Sequence, residues 1–224
     1  CVLSVYGRDT VDFNTQTDAM VSPTENEEAR LNYNQGTEYL DDNKLEEAEK
    51  CLLKAIELDP NFCDAMDHLG LVYRRQERYE EAIEIYLRSI SINNKNSVSY
   101  QNLAVVYRIQ QKYEDARQQY IKMIELDENN PEPYYGIGQL YFDVEMFENC
   151  IDIMQIALQK YIDENSVYSY DAGLYIGYAY YNLENYEEAL KYLKFTASYY
   201  DTDENLLSLI SELEKSVNTK DNGL

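Results

Sequence analysis

The chain has 224 residues, and its 42 acidic against 19 basic side chains leave a formal charge of −23. That balance argues against a protein that coats nucleic acid or an anionic membrane surface, since both require phosphates to be neutralised; it favours solubility and basic partners. An apolar content of 45% belongs to a folded chain, not to a disordered acidic one.

Residues 1–7, CVLSVYG, are apolar, and Val5 and Gly7 suit a signal-peptidase site. Three readings stand side by side. The stretch is the tail of a secretion signal, Cys1 is the lipidated first residue of a mature lipoprotein, or the boundary is arbitrary. The first two put a bacterial protein in the periplasm, outside the cell or on a lipid anchor; the third leaves it in the cytoplasm. Residues 8–26 are polar and read as a flexible lead-in. No run approaches the ~18 apolar residues of a membrane span.

From residue 29 the chain repeats itself. Gly36, Gly70, Ala104 and Gly138 are 34 residues apart, and Gly177 follows after 39. Each is followed three residues on by Tyr39, Tyr73, Tyr107, Tyr141 or Tyr180, and twelve residues on by Ala48, Ala82, Ala116, Cys150 or Ala189. Leu52, Tyr86, Tyr120, Met154 and Leu193 come four further, then Ala55, Ser89, Met123, Ala157 and Thr196. Spacings of three and four define one face of a helix. Glycine inside a helix costs ~1 kcal/mol relative to alanine, so the glycine column predicts a place where neighbouring backbone leaves no room for a side chain. Each unit is a helical hairpin with an apolar face that only stacking can bury. The units fall at 29–62, 63–96, 97–130, 131–164 and 170–203. The phrase RYEEAIEIY from Arg78, with relatives from Lys44, Lys112, Met146 and Asn185, marks the start of each second helix. Its paired acids, such as Glu46-Glu47, Glu80-Glu81 and Glu187-Glu188, suit the positive end of the helix dipole and are read as structural. Residues 165–169, NSVYS, interrupt the period and should lengthen a helix or loop. Leu206, Leu209, Ile210, Leu213 and Val217 then form one stripe, predicting a capping helix over 204–218, before a disordered tail at 219–224.

Met66-x-x-Leu69-Gly70-x-x-Tyr73, Tyr134-x-x-Ile137-Gly138-x-x-Tyr141, Ala82-x-x-x-Tyr86 and the closing Pro60 resemble the tetratricopeptide repeat (TPR) family. The usual Trp is replaced by Asn32, Met66, Tyr100, Tyr134 and Gly173. The resemblance implies an all-α, right-handed superhelix, an α-solenoid, whose first helices line a concave groove that binds a peptide or a partner's helix. The residues expected to face that groove are Tyr33 and Thr37; Asp67, Leu71, Arg74 and Arg75; Gln101, Val105 and Arg108; Tyr135, Gln139 and Phe142; and Leu174, Tyr178 and Tyr181.

Two patches stand out among them. Arg74 and Arg108 are one repeat apart and, with Arg75, can grip a partner's carboxylate; alternatively they neutralise acids of neighbouring repeats, such as Asp67 or Glu77. Tyr175, Tyr178 and Tyr181 form an aromatic patch with Tyr135 and Phe142, unless Tyr175 is inter-repeat core. The lysines of the carboxylate-clamp co-chaperones are missing: Tyr33, Thr37, His68, Val98 and Asn102 stand in the corresponding stretches, and chaperone-tail binding is not expected. Cys1, Cys51, Cys63, Cys150 and the single His68 fit no metal spacing and read as packing residues. No phosphate loop or nucleophile elbow occurs. The sequence therefore predicts a non-catalytic interaction scaffold without a cofactor. The alternative is an assembly component that uses the tyrosine-rich stretch Tyr168–Tyr200 to form a homo-oligomer or an envelope complex.

Overall fold

The computed structural model describes residues 24–221, with side chains to 217. The expectations for Cys1, for residues 1–7 and for most of the lead-in lie outside these residues. Among the described residues, helices alone are present. They pair as α1 (Glu27–Asp41) with α2 (Leu45–Leu58), α3 (Cys63–Arg75) with α4 (Tyr79–Ile92), and α5 (Ser97–Ile109) with α6 (Tyr113–Leu126). Then come α7 (Glu132–Asp143) with α8 (Phe147–Asp163), and α9 (Tyr168–Asn182) with α10 (Tyr186–Ala197). A last helix, α11 (Glu204–Asp221), packs on α10 and continues through 219–221, which the sequence assigned to the tail.

Local chemistry sets these boundaries. The Asn26 side chain caps α1 by accepting from the Ala29 amide, and Asn96 caps α5 by accepting from Val98 and Ser99. Every tight turn within a hairpin closes in one way: the carbonyl of the repeated tyrosine accepts from the amide five residues on, as in Lys112 N to Tyr107 O at 2.8 Å. This is a Schellman closure, and it needs one residue in the left-handed region. Asn43, Glu77, Gln111, Glu145 and Glu184 fill that place with φ between 57 and 61°, and none is glycine. The acidic pairs of the repeated phrase lie in the first turns of α2, α4 and α10, where exposed amides and the dipole favour negative charge. At the far end of α2, α4 and α6, the side chains of Asp59, Asn93 and Asp127 each accept from the amide two residues on, turning the chain into the next hairpin.

The glycine column is explained by side chains, which corrects the expectation of backbone crowding. A Cβ on Gly36 would meet Leu52 at 2.8 Å, one on Gly138 would meet Met154 at 2.6 Å, and one on Gly177 would meet Leu193 at 2.7 Å. The bulky column of each second helix thus lies over the glycine of its own first helix. The third hairpin differs: with Ala104 in the column, Tyr120 lies against Gly136 of the next hairpin. The 165–169 insertion accompanies a longer α8, 17 residues against 14 in α2, α4 and α6. Its extra turn carries Tyr161, a buried ring that meets Tyr135 and Tyr168 and whose hydroxyl donates to Glu132 at 2.7 Å.

Helices α1, α3 and α5 touch in succession, as do α7 and α9, whereas each second helix touches the first helix of the next hairpin. The first helices therefore follow the shorter path and line the inside of the curve, as a solenoid of stacked hairpins requires.

Candidate inner-face binding surface

On α1, Tyr33 is half-buried against the rings of Phe62 (4.9 Å) and His68 (5.2 Å), and burial, the largest effect, pushes its hydroxyl up to about 12. Thr37 donates to the Asn34 carbonyl at 2.8 Å. His68 Nδ1 lies 2.9 Å from the Asp64 carbonyl, which can only accept, so Nδ1 carries the proton; burial lowers the His68 pKa. The ring is thereby a neutral packing group, as its place in the repeat suggested.

Asp67 does not line the groove. It is buried where α3, α4 and α5 meet, accepting from Ser99 Oγ and Asn96 Nδ2 at 2.6 Å each, while Ser99 also reaches Ser89 at 2.9 Å. These donors are neutral. Burial raises the Asp67 pKa to about 7, and the hydrogen bonds from Ser99, Asn96 and Ser89 only partly offset it. Repeat periodicity pointed Asp67 inward; the donors Asn96 and Ser99, from the next hairpin, draw it into the seam instead.

Leu71 and Val105 are half-buried on α3 and α5, with Gln101 beside them. Arg75 Nη1 donates to the Leu40 carbonyl at 3.1 Å. Arg74 is 8% exposed and, among the described residues, has no hydrogen bond or ion pair. Arg108 is different. Its Nε and Nη2 donate to Asp143 at 2.5 and 3.0 Å, and its Nη1 donates to Gln139 Oε1 at 3.2 Å. Burial works against the Arg108 charge, and Asp143 more than reverses that, so its pKa rises. The two arginines therefore do not act as a matched pair. Arg108 neutralises an acid of the neighbouring repeat, and that acid is Asp143, not Asp67 or Glu77.

Gln139 is buried and passes the network on, donating through Nε2 to the Tyr175 hydroxyl at 3.0 Å. Tyr175 is core, its ring edge-on to Tyr135 (5.6 Å) and Phe142 (5.4 Å). The aromatic patch is thus largely a seam between α7, α8 and α9. Leu174 and Tyr178 are buried in a cluster with Leu206, Ile210 and Leu213 of α11. The capping helix covers them, so they are not open to a ligand. Tyr181 remains exposed beside Tyr186. The stripe on α11 was legible; which residues it would cover depended on docking that periodicity does not encode.

Among the described residues no cluster of His, Cys, Asp and Glu is arranged to hold a metal ion, and no helix is long and apolar enough to cross a membrane. Burial pushes the Cys150 thiol up to about 12, far from a reactive thiolate.

Family profiles fit this geometry. Those described as tetratricopeptide repeat match residues 33–97, 85–118 and 171–194, and one described as TPR repeat matches 104–144. The chain is a tetratricopeptide repeat protein. No curated protein sequence matches this TPR chain. Among solved structures it is similar to PilF of Pseudomonas aeruginosa, with 21% identity and a TM-score of 0.73 over 87% of this chain and 86% of that one. It is also similar to MamA, with 19% identity and a TM-score of 0.63 over 77% and 91%. A chain of the APC/C Cut9–Hcn1 hetero-tetramer shares 20% identity and a TM-score of 0.70, over 85% of this chain and 37% of that one. At such identities the likeness establishes the all-α TPR solenoid fold.

Proposed function

We propose that this TPR protein is a non-catalytic scaffold that holds an extended segment or a helix of a protein partner along the inner surface of α1, α3 and α5. The observation that supports this best is the row Thr37, Leu71 and Val105. These three side chains are half-exposed at equivalent places, 34 residues apart, on three successive inner helices. The row mixes apolar and polar contact in the way a peptide groove does, and the first three hairpins leave it uncovered whereas α11 seals the last. An acidic group on the partner falls to Arg74, because Arg108 is occupied by Asp143.

A peptide selected from a random displayed library against the purified protein tests this. Leu71→Glu or Val105→Glu should weaken binding by ~10-fold or more, since each places an unpaired charge in the contact. Leu53→Glu and Leu87→Glu, at exposed positions on α2 and α4, should leave it unchanged. The opposite pattern would sink the groove reading. Assembly through the last hairpin is the second reading; it keeps the exposed rings of Tyr181 and Tyr199, the latter stacked on Tyr170 at 4.8 Å, and sedimentation showing a monomer at high concentration would remove its homo-oligomeric form.

A further inference from the structure

The repeat provides its own control for Arg74. Arg74 and Arg108 are one period apart on α3 and α5, and Tyr86 and Tyr120 are one period apart on α4 and α6. At Arg108 the arrangement is complete, because Asp143, 35 residues on, gives the guanidinium a bidentate carboxylate. One period earlier the residue in the place of Asp143 is Ile109, which has no carboxylate to offer. Arg74 is nevertheless 8% exposed and, among the described residues, without a hydrogen bond or ion pair. The Tyr86 hydroxyl is buried and also lacks a partner. The two groups share one neighbourhood: against the dominant effect of burial, the Arg74 charge draws the Tyr86 pKa down, and it acts on Tyr120 as well. A buried phenol without a partner is costly to a fold unless something matches it, and the Arg74 guanidinium beside it reaches solvent without meeting an acid among the described residues.

We infer that Arg74 receives a carboxylate supplied by a binding partner, held in the bidentate geometry that Asp143 shows on Arg108. The carboxylate is an acidic side chain or a chain terminus of a bound peptide. It approaches from the side of Ile109, which stands in the place of Asp143 and is 41% exposed. A monoanion also suits a chain of charge −23 better than a phosphate dianion does. The inference rests on the groove reading above and names its ligand chemistry.

Three measurements test it. First, Ile109→Asp should install the missing carboxylate. Its Tm at neutral pH should exceed that of Ile109→Asn by about 2–4 °C, as one charge-assisted contact gives in a chain of this size, and the difference should vanish when Arg74→Gln is added. Second, acetate titrated into arginine-labelled protein should shift the Arg74 Nε–Hε resonance, while acetamide should not, and the shift should be lost in Ile109→Asp. Third, a library-selected peptide should lose affinity when its acidic residue is changed to the amide or its C-terminus is amidated; whichever change acts identifies the source. Equal Tm values for the Asp and Asn variants, together with an Arg74 resonance indifferent to acetate, overturn the inference. A peptide sensitive to Leu71→Glu but to neither amide change overturns it while leaving the groove reading intact. An acetate shift at Arg74 with peptides insensitive to Leu71→Glu and Val105→Glu preserves the anion site and removes the groove.

Discussion

Gly70→Ala sets two effects of opposite sign against each other. Gly70 lies inside α3, where alanine is favoured over glycine by about 1 kcal/mol, so propensity alone predicts a more stable variant. The added Cβ, however, would lie 2.9 Å from Tyr86 Cδ1 and closer still to Cε1 and Cζ. Carbon atoms rest at ~3.5–4.0 Å, so against the nearest ring atoms, Cε1 and Cζ, the ring must retreat by roughly 1.1–1.6 Å. Tyr86 has no exposed surface and is hemmed in by Ala82, Leu103 and Val106, so the seam between hairpins has to give. Overpacking costs about 1–3 kcal/mol, and with three ring atoms involved the upper end applies. Packing wins, with a net loss of ~2 kcal/mol and a fall in Tm of about 4–8 °C. Thermal unfolding followed by far-UV circular dichroism reads this directly. The control is Tyr86→Ala, which itself costs ~3–5 kcal/mol but removes the obstacle. In that background Gly70→Ala should stabilise by ~1 kcal/mol. A rise in Tm on the parent background, or the same change in both backgrounds, would refute the argument.

Burial raises the Asp67 pKa from its ordinary 3.8 to about 7, so its contribution to folding stability is fully present below about pH 4 and is lost as pH rises from there through 7. Asp67→Asn, whose amide can still serve Asn96 and Ser99, should therefore unfold at higher urea than the parent at pH 8, by an amount on the order of a few kcal/mol, with the advantage shrinking towards pH 4. Gln111→Gly should stabilise by ~0.5–1 kcal/mol, since glycine relieves a left-handed φ of 58° at the expense of some chain entropy; a urea midpoint that falls would contradict this. Arg108→Ala removes the ion pair between Arg108 and Asp143 and should lower Tm by about 2–6 °C in low salt, less in high salt.

The hairpins, the capping helix and the acid pairs at the second-helix starts were legible because each is strictly periodic or amphipathic; the closure of each turn through a tyrosine carbonyl emerged only from the structure. Two further kinds of fact were not legible. The partner of each repeated glycine, a bulky side chain sixteen residues on, belongs to the same periodic pattern, yet only docking of the two helices shows that this side chain fills the space. The inner face was misjudged wherever one hairpin's neighbour differed from the others. Tyr178 and Leu174 lie under α11, Asp67 meets Asn96 and Ser99, and Arg108 finds Asp143. In each case the residue itself obeys the period and its partner does not, so inspecting the residue's own column gives no warning.

The departures of the third and fourth hairpins belong together. A methyl group at Ala104 takes the space that Gly70 leaves for Tyr86, and Tyr120 leans instead on Gly136, whose missing side chain makes the room. There burial, foremost, pushes the Tyr120 hydroxyl up, while the charge of Arg108 opposes it and those of Glu132 and Asp143 add to it. Ala104, Gly136 and Asp143 thus convert the α5–α7 seam into a joint whose charges are matched within the chain. At the α3–α5 seam the same arginine and tyrosine recur, with Gly70, Asn102 and Ile109 in the corresponding places. Nothing there turns the ring aside or answers the guanidinium. The α3–α5 seam thus keeps Arg74 and carries Ile109 where its neighbour carries a carboxylate, and it lies beside the row Thr37, Leu71 and Val105.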